Sequence, residues 1–104
     1  MIFTADNFEK EVLKSEIPVV VDFYADWCGP CKMMGPYVTA MEPLYQGMVK
    51  IGKLNVDDAA DIAERYHVMS IPTLLFFKNG EVVGSSVGLI PKETLQEKIE
   101  ALAK

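Results

Sequence analysis

The chain has 104 residues, 50% of them apolar and 24% charged, which is enough for one buried core and rules out a disordered chain. Its net charge of −5, with no basic run, argues against nucleic acid or an anionic membrane surface as a partner. No apolar run reaches bilayer-spanning length, and Met1-Ile2-Phe3-Thr4-Ala5-Asp6 lacks the basic start and apolar stretch of a signal peptide, so the expectation is one domain over 1–104, monomeric and cytoplasmic.

In chain order, Asp6-Asn7-Phe8-Glu9 has the spacing of a capping box, and Phe8, Val12 and Leu13 mark the buried face of a first helix. Ile17 to Ala25 is too densely apolar for a half-exposed strand and is expected at the centre of a sheet, covered on both faces. A helix from about Gly29 to Tyr45 follows. Pro36 must bend it, because proline deletes the hydrogen bond to the Lys32 carbonyl and collides with it, and Pro43 is a further break near its end. Val49 to Val56 alternates as a second strand, parallel to the first through a right-handed crossover. Asp57 or Asp58 is placed to cap a helix through Tyr66, and His67, the only histidine, to end it, where a cation meets the negative end of the helix dipole. Leu74 to Lys78 and Glu81 to Val87 flank Asn79-Gly80, a strong hairpin signal. A last helix starts at Pro91 and buries Leu95, Ile99 and Leu102. The pattern predicts an α/β fold with a mixed sheet covered on both faces.

The two cysteines lie three apart in Trp27-Cys28-Gly29-Pro30-Cys31-Lys32, directly after the central strand. A strand running into that motif puts both sulfurs in the first turn of the next helix, where backbone N–H groups lack partners and the dipole is positive. A thiolate is stabilised there, its pKa falls, and Cys28 becomes a nucleophile near neutral pH. Pro30 is tolerated because its missing N–H would have been unpaired anyway. The spacing lets the sulfurs close a small ring, so the site can be dithiol or disulfide. A zinc site needs four ligands, and this chain offers two sulfurs and one histidine. A cysteine–histidine hydrolase would need His67 beside Cys28. Thiol–disulfide exchange is the chemistry these residues favour, with no metal and no bound organic cofactor.

The run from Val19 to Lys32, then Lys53-Leu54-Asn55-Val56-Asp57, Ser70-Ile71-Pro72-Thr73-Leu74, Phe77-Lys78-Asn79-Gly80-Glu81 and Val87-Gly88, resembles the thioredoxin family. The blocks follow the family's order and spacing over nearly the whole chain. The resemblance implies a thioredoxin fold, with a central mixed sheet of about five strands flanked by about four helices. Its first strand would be Ile2-Phe3, which nothing else in the sequence marks. It also implies a protein-disulfide reductase recycled by a thioredoxin reductase, with Cys28 as nucleophile and Cys31 as the resolving thiol.

Asp22, inside the central strand, is costly there if ionised and unpartnered. It is either a strand-end carboxylate facing solvent or a proton acceptor held beneath Cys31 with its pKa raised by burial. The resemblance implies the second, with Lys53 approaching and tuning it. It further implies that Pro72 is cis, packs against the cysteines and lets the Ile71 backbone meet an extended substrate. Trp27, Gly29, Pro30, Ile71, Pro72, Val87 and Gly88, with Leu89, are expected to form an apolar landing surface for protein substrates. Tyr24 stands where many thioredoxins carry a second tryptophan. Two rival activities fit the same fold: an oxidase or isomerase, which Gly29-Pro30 opposes by adding no cation to stabilise a thiolate further, and a binding subunit that needs no sulfur chemistry.

Overall fold

Residues Val19–Tyr24 form strand β2 in the computed structural model, which describes residues 1–104, and their alternation feeds two separate cores. Val19, Val21 and Phe23 point to one side of the sheet and Val20 to the other. Around β2 the order is β1-β3-β2-β4-β5, with β1 at Ile2–Phe3, β3 at Lys50–Asn55, β4 at Thr73–Lys78 and β5 at Glu81–Val87. The first three pair in parallel, whereas β4 runs antiparallel to both β2 and β5.

The face of Val20 is covered by α1, Gly29–Met41, and α3, Lys92–Ala103, through Met34, Val38, Met41, Leu95, Ile99 and Leu102. The face of Val21 is covered by α2, Ala60–Arg65, and by a single turn of wide helix at Glu9–Leu13. Phe8, Tyr66 and Phe77 meet on that side with ring centroids 5.4 to 5.9 Å apart, two of the three pairs edge to face. This is the mixed sheet with four flanking helices that a thioredoxin fold requires, including the short β1.

Several boundaries differ from the sequence expectation for local reasons. The first helix is not capped by Asp6 and Glu9. Instead Thr4 Oγ1 accepts from the Asn7 N–H and Asn7 Oδ1 accepts from the Thr4 N–H, a reciprocal pair two residues earlier. The turn it opens is wide, with the Lys14 N–H donating to the Glu9 carbonyl at 2.9 Å. α1 passes through Pro36 but stops at Met41, and Pro43 opens a separate 3-10 turn to Tyr45. Neither Asp57 nor Asp58 caps α2: the N-cap position falls one residue later, on Ala59, which has no side-chain acceptor, and Asp57 instead accepts from Trp27. α2 closes on His67 in the left-handed conformation, φ 57°, with Val68 N–H to Ala63 O and His67 N–H to Glu64 O completing a Schellman motif.

The β4–β5 turn does use Asn79 and Gly80, both at positive φ. A Cβ at Gly80 would also stand 2.7 Å from the Leu13 carbonyl oxygen, a backbone atom that cannot swing away. Gly80→Ala should therefore destabilise the fold by about 2 kcal/mol or more, combining an unfavourable φ with a backbone clash. Denaturant unfolding at fixed pH measures the loss, and a cost below about 0.5 kcal/mol would mean that the turn relaxes freely.

Candidate active site

The central strand and the helix that follows it bring the sequence candidates together. Alternation along β2 turns Asp22 to the same side as Val20, under α1, and alternation along β3 turns Lys53 to that side with Ile51. Parallel register places Asp22 directly opposite Lys53. Past β2 the chain turns, the Cys28 N–H donates to the Ala25 carbonyl at 3.2 Å, and Cys28 becomes the N-cap of α1. Its sulfur accepts a hydrogen bond from the Cys31 N–H at 3.2 Å, one of the helix-opening donors that the strand–motif–helix reading anticipated. Cys28 and Cys31 are joined by a disulfide, with Cα atoms 5.3 Å apart.

The two cysteines are about equally hidden, at 5% and 4% exposure. What separates them is the cavity each borders. Cys28 lines a groove of about 510 Å³ with Trp27, Pro30, Val56, Val68, Met69, Ser70 and Ile71. Cys31 lines a second cleft, about 260 Å³, shared with Asp22, Lys53, Gly35, Pro36, Lys32, Tyr24 at the end of β2 and Ala25 and Asp26 just after it. One opens to apolar side chains and the other to a carboxyl group.

On the groove side, Trp27 is 70% exposed, yet its indole N–H donates to Asp57 Oδ2 at 2.9 Å, which fixes the ring as a wall. The Ile71–Pro72 peptide is cis, and the Ile71 carbonyl oxygen lies 3.7 Å from Cys28 Sγ. Pro72 is buried, and its carbonyl accepts from the Gly88 N–H at 2.7 Å. Gly29 is exposed on α1 but does not line the groove. Val87, Gly88 and Leu89 lie outside it as well, on the β5 side of Pro72, with Val87 opposite Thr73. The groove is lined instead by Val68, Met69 and Ser70, with Met69 92% exposed. Ser70 belongs to the Ser70-Ile71-Pro72-Thr73-Leu74 block, but nothing in the sequence flagged Val68 or Met69 beyond their place just before it.

On the other side, Asp22 is 1% exposed and neither carboxyl oxygen has a hydrogen-bond partner in the protein. Burial pushes its pKa from 3.8 up to about 6, and Lys53 pulls in the opposite direction without forming an ion pair. That range suits exchange of a proton with a thiol near neutral pH. No group of three or more His, Cys, Asp or Glu side chains is placed to hold a metal ion. The largest cavity, about 590 Å³ between Thr39, Glu42, Gln46 and Lys50, contains neither cysteine and shares no residue with either site.

The family model described as Thioredoxin matches residues 1–101. The chain is 49% identical over 94 residues to the M-type chloroplastic thioredoxin of Spinacia oleracea, covering 90% of this chain and 52% of that protein. It thus spans about half the length of the spinach relative. It is 45% identical over 97 residues to thioredoxin 1 of Nostoc sp., covering 93% of this chain and 91% of that one. With the thioredoxin of Synechocystis sp. the identity is 48% over 94 residues, covering 90% and 88%.

The raised Asp22 pKa has a consequence for stability. A carboxyl whose native pKa lies above its unfolded value makes the native state bind more protons, so stability falls as pH rises between the two. From 3.8 to about 6 the loss amounts to about 3 kcal/mol, complete above pH 6 and absent below pH 4. Asp22→Asn should be the more stable protein by about that amount at pH 8 and show no advantage at pH 3.5. Urea unfolding of both proteins across this range measures the difference; a gap independent of pH would show that ionisation of Asp22 is not its source.

Proposed function

The chain belongs to the thioredoxin family, and on that footing we propose that its two cysteines divide protein-disulfide reduction between the two cavities. The observation that carries this reading is the separation of their surroundings: Cys28 faces the apolar groove and Cys31 the Asp22 cleft. Family membership and the paired sulfurs make the protein a thiol–disulfide oxidoreductase acting on protein disulfides.

In the reduced protein, Cys28 thiolate attacks one sulfur of a substrate disulfide. The substrate S–S bond breaks, one substrate thiolate leaves and takes up a proton, and a mixed disulfide joins Cys28 to the other sulfur. Cys31 passes its proton to the Asp22 carboxylate and attacks Cys28 Sγ. The second substrate thiol is released, two electrons have moved to the substrate, and Cys28–Cys31 is left oxidised, the state this structure holds. A thioredoxin reductase returns it to the dithiol. Trp27, Pro30 and Ile71 receive the substrate segment, the Ile71 carbonyl being near enough to Cys28 to pair with an extended chain. Pro72 buttresses that edge, and Gly29, Val87 and Gly88 border the approach to it. Lys53 sets how readily Asp22 gives up its proton.

The protein works as a monomer in a reducing compartment, here taken as the cytoplasm, where cysteine usage confined to an exchange pair fits the redox environment. No helix is long and apolar enough to cross a membrane. Relatives named as chloroplastic show that a different compartment also hosts chains this similar.

Two measurements test the division of labour. Cys31→Ser should retain a reactive Cys28 that accumulates mixed disulfides with protein substrates, and Cys28→Ser should neither trap nor reduce them. Mass spectrometry of the captured adducts decides this, and efficient trapping through Cys31 in the Cys28→Ser protein would reverse the assignment. Asp22→Asn should slow single-turnover resolution of a mixed disulfide at pH 7 by about tenfold or more. A wild-type rate in that variant would remove Asp22 from the proton-transfer step.

A further inference from the structure

Gly35 sits in the interior of α1, where glycine is the poorest helix former apart from proline. Its backbone is not in the left-handed region, so nothing about its conformation calls for glycine. What its missing side chain supplies is room. A Cβ at this position would stand 3.1 Å from Lys53 Nζ and 3.9 Å from Lys53 Cε. Lys53 is anchored on β3 opposite Asp22, and its tip therefore rests against a bare stretch of α1 backbone. Gly35, Lys53, Asp22 and Cys31 all border the same cleft.

We propose that Gly35 is a positioning residue for disulfide exchange: by leaving the underside of α1 bare, it admits the Lys53 ammonium into the cleft shared by Asp22 and Cys31. The glycine thereby sets how strongly one positive charge acts on the carboxyl group. The inference deepens the reading of Asp22 as proton acceptor and rests on it for its kinetic consequence, but not for its electrostatic one.

The charged and titratable groups around Asp22 are few. β3 contributes Lys53, α1 contributes Cys31 and Lys32, and the end of β2 with the turn after it contributes Tyr24 and Asp26. β4 presents only Leu74 opposite Asp22. Among these, Lys53 is the group whose charge registers at Asp22. A methyl group on residue 35 would press on the ammonium at 3.1 Å, closer than an ordinary contact. The helix backbone cannot move away from its own side chain, whereas the end of a lysine can, and the open side of the cleft leads to water. The charge would give way by a few tenths of an ångström towards that open side, where water screens it more, weakening its hold on the carboxylate. The cost of glycine in a helix is then the counterpart of a charge placed where it acts.

Carbon-13 NMR titration of the Asp22 carboxyl in the reduced protein reads this directly. Gly35→Ala should raise the midpoint by about half a pH unit, and Lys53→Met by more. In the Lys53→Met background, Gly35→Ala should add nothing, because its effect runs through the ammonium. Single-turnover resolution should follow, with the acidic limb of the Gly35→Ala profile displaced upward, a rate about twofold lower at pH 6, and an unchanged plateau at high pH. A midpoint that stays or falls in Gly35→Ala would overturn the proposal. So would an equal shift with and without Lys53, since the methyl group would then act by drying the cleft. The titration judges Gly35 even if Asp22→Asn resolves mixed disulfides normally, so the two readings fail separately.

Discussion

Strand β2 occupies the middle of the sheet with an apolar layer on each face, so any polar group it carries must give up its water. Asp22 on β2 and Thr73 on the neighbouring β4 are both buried polar side chains, and they meet this constraint differently. Thr73 donates its hydroxyl to the Ser70 carbonyl at 2.6 Å and is satisfied. Asp22 has no such partner, and its ionisation is correspondingly hard. Within a domain held together by roughly 5–15 kcal/mol, a group this uncomfortable is a substantial concession. The same desolvation that weakens the fold gives the carboxyl an affinity for protons suited to neutral pH, so the instability and the proposed proton transfer have one origin.

The active-site disulfide lies at the seam between the two environments that β2 separates. Its helix-opening turn is short enough that Cys28 and Cys31 share a ring, yet each borders its own cavity. Unequal roles do not need unequal exposure when the surroundings differ this much. The groove is held in shape by contacts from distant parts of the chain: the Trp27–Asp57 hydrogen bond ties it to the end of β3, and the Gly88–Pro72 bond ties it to the end of β5. The groove and the Asp22 cleft have no lining residue in common, so the proposed substrate contact and proton transfer can be altered at separate residues.

Much of this was readable from residue order, because the signals that matter are dense and local. The uninterrupted apolar run ending at Ala25 marks a central strand, Asn79-Gly80 marks a hairpin, and two cysteines at the mouth of a helix mark exchange chemistry. Elements whose stability comes from tertiary contact were harder to read. β1 is two residues long and has no period to detect; it exists because Phe3 fills a core and the strand pairs with β3. The Thr4–Asn7 pair was hidden behind a more familiar capping spacing at Asp6 and Glu9. Val68, Met69 and Ser70 carry no chemical signature, and their place in the groove follows from the reversal of the chain after α2 rather than from their own composition. The room beside Gly35 is equally invisible without the third dimension, since it is defined by a lysine 18 positions away.

The outer strand β5 bears on a different property, the behaviour of the sheet towards other sheets. An edge strand of seven residues with exposed Val82, Val83 and Val87 would ordinarily invite a neighbouring strand to pair with it. Here the register shifts between Phe76 and Phe77, leaving Val83 without a partner as a bulge in the middle of the edge. A bulge increases local twist and breaks the even spacing of donors and acceptors. The opposite edge, β1, is too short to template anything. Neither margin offers a straight ladder, and the fold keeps a five-stranded sheet from becoming the seed of a larger one.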